Sequence, residues 1–225
     1  MEAVAQTACT CSTTAHSPCQ KGRSEAIRAA LRLEYLTIGW NIVEGVIAVG
    51  AALAAGSVAI LGFGIDSFVE CASGIVMLWR LRAEHTKGLS GAQLERSEHR
   101  ALKLIAGSLC LLAGYVAIEA SRKLWTGERP QVSIVGIALL LISIALMLWL
   151  ARAKRILATR LNSNAMAADA FQTTACWWLS VTALTGVTLN GLFDWWWADP
   201  IAAMVIAVII AREAHASWNG MACRC

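Results

Sequence analysis

Residues 57–79 read SVAILGFGIDSFVECASGIVMLW, and this stretch decides the class of protein. It is apolar over a length that crosses a bilayer, because about 20 residues rising about 1.5 Å each span a hydrocarbon core about 30 Å thick. It nevertheless contains two acidic residues, Asp66 and Glu70. A charged side chain at the centre of a membrane helix costs about 2.5–3.5 kcal/mol on insertion scales, so such residues mark candidate functional sites. The stretch therefore predicts a membrane helix that carries a site.

Five further segments have the same apolar character, and the composition agrees with them. Of the 225 residues, 57% are hydrophobic and 15% are charged, with a mean hydropathy of +0.58. Soluble domains are about 45–50% apolar and about 25% charged. This excludes a disordered chain, a nucleic-acid binder built on a basic surface and a typical water-soluble enzyme. We predict an all-α polytopic membrane protein with six transmembrane helices, at residues 33–54, 57–79, 102–120, 132–151, 165–189 and 198–212.

The placement of the basic residues predicts the orientation. All but three of the 19 Lys and Arg residues fall in the two termini and in the second-to-third and fourth-to-fifth connections. Cytoplasmic loops carry an excess of Lys and Arg, so both termini are predicted to be cytoplasmic. The predicted organisation is a cytoplasmic tail (1–30), a six-helix transporter domain (31–213) and a short cytoplasmic tail (214–225).

Asp66 and Glu70 are four residues apart, so on a helix both carboxylates project from one face about one turn apart. Two buried like charges are tolerated only if one is protonated or a cation lies between them. A divalent metal ion between the two satisfies this requirement. The alternative is a protonated or hydrogen-bonded carboxyl pair that locks helices together.

The fifth predicted helix carries a matching polar stripe. Its members have the spacing i, i+3, i+4, i+7 of one helix face, and they are Asp169, Gln172, Thr173 and Cys176. Counted from the span ends, this stripe lies at about the depth of the acidic pair. We therefore predict one midplane ion, held by Asp66, Glu70, Cys176 and either Asp169 or Gln172. Alternatively, Gln172 and Thr173 form hydrogen bonds between helices, and Cys176 is a small buried residue.

The donor atoms of this set suggest the metal. Carboxylate, thiolate and amide ligands suit zinc or cadmium better than magnesium, which prefers an oxygen shell. In the first span, Asn41 and Glu44 share a face and are candidates for contacts around the ligands or for carrying protons, with pairing to a neighbouring helix as the alternative. Glu34, near the end of that span, is expected at the membrane interface.

Both tails contain cysteine. The residues concerned are Cys9, Cys11, His16 and Cys19 before the first span and Cys223 and Cys225 at the end of the chain. Thiols stay reduced in the cytoplasm, and two C-x-C pairs with a nearby histidine offer soft ligands for Zn²⁺, Cd²⁺ or Cu⁺. The tails are therefore candidates for capturing metal, and the alternative is a disordered tail with incidental cysteines.

Three stretches carry a family resemblance: GFGIDSFVECASGIVMLWR (62–80), ADAFQTTACWWLS (168–180) and WWWADPIAA (195–203). Together they resemble the cation diffusion facilitator (cation efflux) family, and within it the short branch typified by transmembrane protein 163, which lacks the usual C-terminal cytoplasmic domain. The resemblance implies a six-helix, usually dimeric exporter that exchanges cytoplasmic Zn²⁺ or a similar ion for protons. The family's acidic pair maps onto Asp66 and Glu70. Its His-x-x-x-Asp pattern falls on Gln172 and Cys176, neither of which matches, and Asp169 is the candidate to replace the missing acid.

The predicted function is therefore efflux of a divalent metal cation, most consistent with Zn²⁺ or an ion such as Cd²⁺ or Co²⁺, by proton antiport through a site between the second and fifth helices. The alternative is a non-transporting membrane sensor or buffer that binds metal through its tails. No enzyme activity, prosthetic group or nucleic-acid partner is expected. The expected partners are the lipid bilayer, the metal ion, protons and a second copy of the chain, and the expected location is the plasma or inner membrane.

Overall fold

The computed structural model describes residues 18–55, 58–87, 91–127 and 134–220. Helix is the regular secondary structure of these ranges, which confirms the all-α prediction, and each helix overlaps one predicted span. The helices are α1 (Pro18–Ala55), α2 (Val58–Lys87), α3 (Ala92–Thr126), α4 (Ile134–Leu161), α5 (Asn164–Phe193) and α6 (Ala198–Trp218).

Among the described residues, four helices are long and apolar enough to cross a bilayer. They are α3, residues Gly136–Leu161 of α4, α5 and α6. This makes the chain a polytopic membrane protein.

The helices pack chiefly in pairs: α1 on α2, α3 on α6 and α4 on α5. The fifth helix also contacts α2, α3 and α6, so it lies at the centre of the arrangement. Its buried Ala165, Met166 and Ala168 pack with Met77 of α2 and Leu109 of α3 in the core. Large apolar side chains point outward elsewhere on the bundle, as expected of helices that face lipid. Examples are Leu141, Ile142 and Trp149 on α4 and Val205 and Ile209 on α6.

Ion pairs join the helices at the N-terminal end of the bundle, which is the end where α1, α3 and α5 begin. Arg80 of α2 contacts Glu84 at 3.2 Å and Glu98 of α3 at 2.7 Å, and Arg23 of α1 contacts Glu84 at 2.7 Å. Glu98 also accepts a hydrogen bond from the backbone N–H of Ala165 at 2.9 Å, in the first turn of α5. This end cluster of Arg23, Arg80, Glu84 and Glu98 ties four helices together.

At the opposite end, α5 and α6 are joined by residues 194–197. Asp194 adopts a left-handed conformation with φ 59°, and it ends α5. The return brings the first turn of α6 onto α5, where Gly186 packs directly against Asp199. A Cβ added at Gly186 would overlap the Cβ of Asp199 and lie 3.3 Å from its Cα. Glycine is therefore required here by close approach of two backbones.

We expect Gly186→Ala to weaken the α5–α6 contact, because the added methyl meets atoms fixed to the backbone. Overpacking of this kind costs about 1–3 kcal/mol. The measurement is the melting temperature of the purified protein in detergent. Gly191→Ala is the matched control, since it lies in the same helix with no atom within 4 Å of the added Cβ. That control should melt at the same temperature or slightly higher, and equal melting of the two variants would contradict the packing argument.

Candidate metal centre

The acidic stretch of α2 and the polar stripe of α5 meet at Asp66 and Cys176. The Cys176 thiol donates to Asp66 Oδ1 at 3.8 Å. Cys176 is buried, whereas Asp66 is half-buried. The contact arises because Asp66 lies on the face of α2 that packs against α5. A thiol and a carboxylate from two different helices therefore lie side by side in the membrane part of the bundle.

Glu70 lies one turn from Asp66 along α2 and is almost completely buried. The Thr173 hydroxyl and the Cys176 thiol both face its carboxylate. Its Oε1 atom has no hydrogen-bond partner in the described part of the chain. A buried carboxylate oxygen without a partner is costly, so it is a position where a proton, a water molecule or a cation would be stabilised.

Gln172, a predicted ligand, is held by two other helices. Its Nε2 donates to the backbone carbonyl of Val69 in α2 at 3.3 Å, and its Oε1 accepts from the Ser108 hydroxyl of α3 at 2.8 Å. Thr173 donates to the backbone carbonyl of Asp169 in its own helix at 3.3 Å. The amide thus forms the hydrogen bonds between helices that the sequence left open as an alternative to ligation.

Asp169, another predicted ligand, belongs to a separate group of side chains. Its Oδ2 contacts the ammonium of Lys154 at 2.6 Å, and its Oδ1 accepts from the Ser73 hydroxyl at 2.8 Å. Lys154 also contacts Glu34 Oε2 at 3.1 Å. We call Glu34, Ser73, Lys154 and Asp169 the inner cluster. It joins α1, α2, α4 and α5, and all four of its side chains are buried.

One expectation about this cluster is wrong. The predicted spans leave Lys154 in the fourth-to-fifth connection, but α4 continues to Leu161 and turns the side chain inward. Glu34 is buried in the bundle with its side chain 0% exposed, and its position at the membrane interface stays a prediction. The sequence contained a signal for Lys154, because it lies at helical spacing from the buried Met147, Leu150 and Leu157.

A third polar group lies between α1, α2 and α4. Glu44 accepts a hydrogen bond from the Ser67 hydroxyl at 3.3 Å and lies beside Ser143. Both polar atoms of the Asn41 amide, which is fully buried, have no partner among the described residues, and neither does Glu44 Oε1. Asn41 and Glu44 are thus buried polar groups, and the Glu44 carboxylate is close enough to Asp66 and Glu70 to interact with both electrostatically.

The electrostatics of these groups differ sharply. Asp169 and Glu34 have an ion-pair partner, whereas Glu44, Asp66 and Glu70 have no Lys or Arg within ion-pair distance in the described ranges. Nor do any three His, Cys, Asp or Glu side chains of those ranges already converge around one point as a metal site. Glu44 and Asp66 thus have no ion-pair partner in the described ranges, whereas the positive charge of Lys154 also acts on Glu70.

A cavity of about 130 Å³ connects Asp66 with the end of the bundle opposite the end cluster. Tyr115 and Glu119 of α3 and Asp199 of α6 line it. Near its opening, Lys123 contacts Asp199 at 3.2 Å. Asp66 is therefore approached from this end, while the inner cluster and the end cluster lie between Glu70 and the other end.

The predicted tail ligands cannot be placed. Cys9, Cys11, His16, Cys223 and Cys225 lie outside the described residues, as does the side chain of Cys19 at the start of α1. Metal capture by the tails stays a prediction.

Comparison with known proteins identifies the family. Residues 35–216 match the family described as the cation efflux transmembrane domain. Over 190 residues the chain is also 30% identical to an uncharacterized transporter, sll1263, of Synechocystis sp., in an alignment that covers 79% of this chain and 58% of that relative. The chain thus spans less than two thirds of the relative's length. The family match includes all the helices that build the Asp66 site, and the chain belongs to the cation efflux family.

Proposed function

We propose that this protein exports a divalent metal cation, with Zn²⁺ and Cd²⁺ as the best-fitting ions, from a site formed by Asp66, Glu70 and Cys176. The observation that carries the proposal is the contact of Asp66 with Cys176 at the inner end of a cavity, beside a second buried carboxylate, that of Glu70. Membership of the cation efflux family and the transporter relative support a metal cation as the cargo. Two carboxylates and a thiolate combine the charge and softness that suit zinc and cadmium.

The other two predicted ligands, Asp169 and Gln172, are held by other side chains in this structure. Asp169 is engaged by Lys154, and Gln172 is engaged by Ser108 and Val69. Each joins the ion only in a conformation in which those contacts have broken. The proposed ligand set is then Asp66, Glu70 and Cys176, with Thr173 beside Glu70.

The proposed topology has six membrane spans with both termini in the cytoplasm. The distribution of Lys and Arg supports it, and so does the concentration of Arg23, Arg80 and their acidic partners at the N-terminal end of the bundle. With this orientation, the cavity at Asp66 opens to the non-cytoplasmic side. The structure then corresponds to the state that releases the ion, and a rocking of the helices opens the site to the cytoplasm.

Protons are the proposed coupling ion. A ligand carboxylate binds either a proton or a metal ion, so loading a cation releases protons and re-protonation on the other side displaces it. Asn41 and Glu44 are the proposed proton carriers next to the site, since Glu44 accepts from Ser67, the neighbour of Asp66, and Asn41 is buried three residues before Glu44 on α1. A homodimer in the plasma or inner membrane is the proposed assembly.

Flux measurement in proteoliposomes tests the function directly. We expect Zn²⁺ to accumulate when metal is supplied on the cytoplasmic face and the opposite compartment is acidic, because protons there displace the ion from the carboxylates. Collapsing the gradient with a protonophore should reduce the rate. A rate that does not depend on the pH gradient would contradict proton coupling, and no flux above that of empty liposomes would contradict transport.

Asp66→Asn tests the site. It keeps the size of the side chain and removes the charge that a metal requires, so Zn²⁺ flux should fall to the level of empty liposomes at normal expression. Glu95→Gln, an exposed acid at the start of α3, is the control and should transport normally. Replacing the five tail cysteines by serine should leave flux at saturating metal unchanged. If the tail variant loses flux and Asp66→Asn keeps it, the sensor or buffer reading is favoured.

Cys176→Ser tests the role of the thiol in metal preference. Removing a soft ligand should lower Cd²⁺ transport by roughly ten- to a hundredfold, while Mn²⁺, which prefers oxygen ligands, is affected less. Cys71→Ser is the matched control, because Cys71 is also buried in this region but donates to the backbone carbonyl of Ile38 at 3.8 Å. An equal effect of the two substitutions on the Cd²⁺/Mn²⁺ ratio would rule out Cys176 as a ligand.

A further inference from the structure

The inner cluster holds a lysine ammonium where a metal ion would fit. Lys154 Nζ lies 2.6 Å from Asp169 Oδ2 and 3.1 Å from Glu34 Oε2. The side chains of Lys154 and Glu34 are 0% exposed and that of Asp169 is 1% exposed. Removing such charges from water costs several kcal/mol per ion, and a buried ion pair is often no more stable than apolar residues of the same volume. Stability alone therefore does not account for the cluster.

The cluster has more acidic groups than basic ones. The carboxyl groups of Glu34 and Asp169 share one ammonium, and Glu34 Oε1 has no hydrogen-bond partner in the described part of the chain. Ser73 adds a hydroxyl that already contacts Asp169 at 2.8 Å. If the ammonium moved away, two carboxylates and a hydroxyl would face the vacated position. Such oxygen donors are those that hard and borderline divalent cations take.

The position of the cluster places it next to the proposed ligands. Ser73 follows Glu70 by three residues in α2, and Asp169 precedes Cys176 by seven residues in α5. At about 1.5 Å per residue these separations are about 5 Å and about 10 Å along the helices, toward the N-terminal end of the bundle. The cavity reaches Asp66 from the opposite end. An ion that approaches Glu70 from the N-terminal end therefore has to pass Asp169 and Lys154.

We infer that Glu34, Ser73 and Asp169 form a second, inner site for the transported divalent cation, and that Lys154 occupies this site as a tethered cation when the protein is empty. The inference rests on the proposed function. An incoming ion displaces the ammonium, which swings aside on its flexible four-carbon stem, and the ion then moves on to Glu70 and Asp66. The returning ammonium closes the path behind it. A lysine is suited to this exchange because its compact charge replaces that of a metal ion.

Ion counting on the purified full-length protein tests the inference. All variants carry serine at the five tail cysteines, so that the tails add no metal. We expect one Zn²⁺ per chain in the parent protein after dialysis, two in Lys154→Gln, and one again in Lys154→Gln combined with Asp169→Asn. Lys154→Arg, which keeps the charge, should bind one. Arg155→Gln, at the neighbouring exposed position, is the control and should also bind one.

A second measurement needs no substitution in the cluster and therefore holds even if Lys154→Gln fails to fold. Reductive methylation of amines, read by mass spectrometry, reports how exposed each lysine is. Saturating Zn²⁺ should increase the methylation of Lys154 severalfold, because the ion displaces it from the carboxylates. Lys103, which is exposed, serves as the internal reference and should not change.

If Lys154 instead forms a permanent ion pair that only holds the helices together, both measurements should give the opposite result. Equal numbers of bound Zn²⁺ in Lys154→Gln and the parent protein would overturn the inner site. If Lys154→Gln does not fold, methylation of Lys154 that does not change with Zn²⁺ would overturn it instead. Failure of the proposed function looks different. If the parent protein neither binds nor transports Zn²⁺, the outer ligand set is wrong, whereas an ion gained in Lys154→Gln and lost again with Asp169→Asn still supports the inner site.

Discussion

A single buried ammonium organises the polar interior of this bundle. Lys154 of α4 contacts carboxylates of α1 and α5, and Ser73 of α2 completes the group through Asp169. Four of the six helices are thus connected by contacts that cannot be exchanged for water inside a membrane. Because each partner is costly to leave unpaired in a low-dielectric interior, the relative positions of these helices are fixed as long as the ammonium stays in place.

The buried acids divide into two classes around this lysine. Glu34 and Asp169 are compensated, and they lie toward the N-terminal end of the bundle. Asp66, toward the cavity, has no ion-pair partner in the described ranges and has a thiol beside it, and Glu70, one turn away, faces the thiol and also experiences the charge of Lys154. Uncompensated carboxylates in a membrane are stable only with a proton or a cation. In the proposed mechanism this asymmetry places the exchange of the cargo on the Asp66 side, whereas the other side holds the Lys154 ammonium when the protein is empty.

Much of this arrangement can be predicted from the spacing of polar and apolar residues in the sequence. The contacts of Lys154 could not, for a physical reason. The helices could be predicted because an apolar segment long enough to cross a bilayer has few alternatives to a helix. The acidic pair and the stripe containing Cys176 could be predicted because their spacing matches one face of a helix. Lys154 was misplaced because counting charges assigns basic residues to loops, and α4 continues past the apolar segment. Asp169 is on the predicted face, but its partner comes from α4, and a pairing between distant residues leaves no periodic signal.

The contacts at the two ends of the bundle also determine the order of steps in the proposed transport cycle. At the cavity end, one carboxylate is already reachable and the packing of Gly186 against Asp199 holds α5 to α6. At the N-terminal end, two layers of ion pairs, the inner cluster and the end cluster, have to open before an ion reaches Glu70. Breaking both layers without compensation would cost several kcal/mol. In the proposed mechanism an incoming cation that takes over the carboxylates of the inner cluster offsets much of that cost, so entry of the cargo and opening of this end become one event.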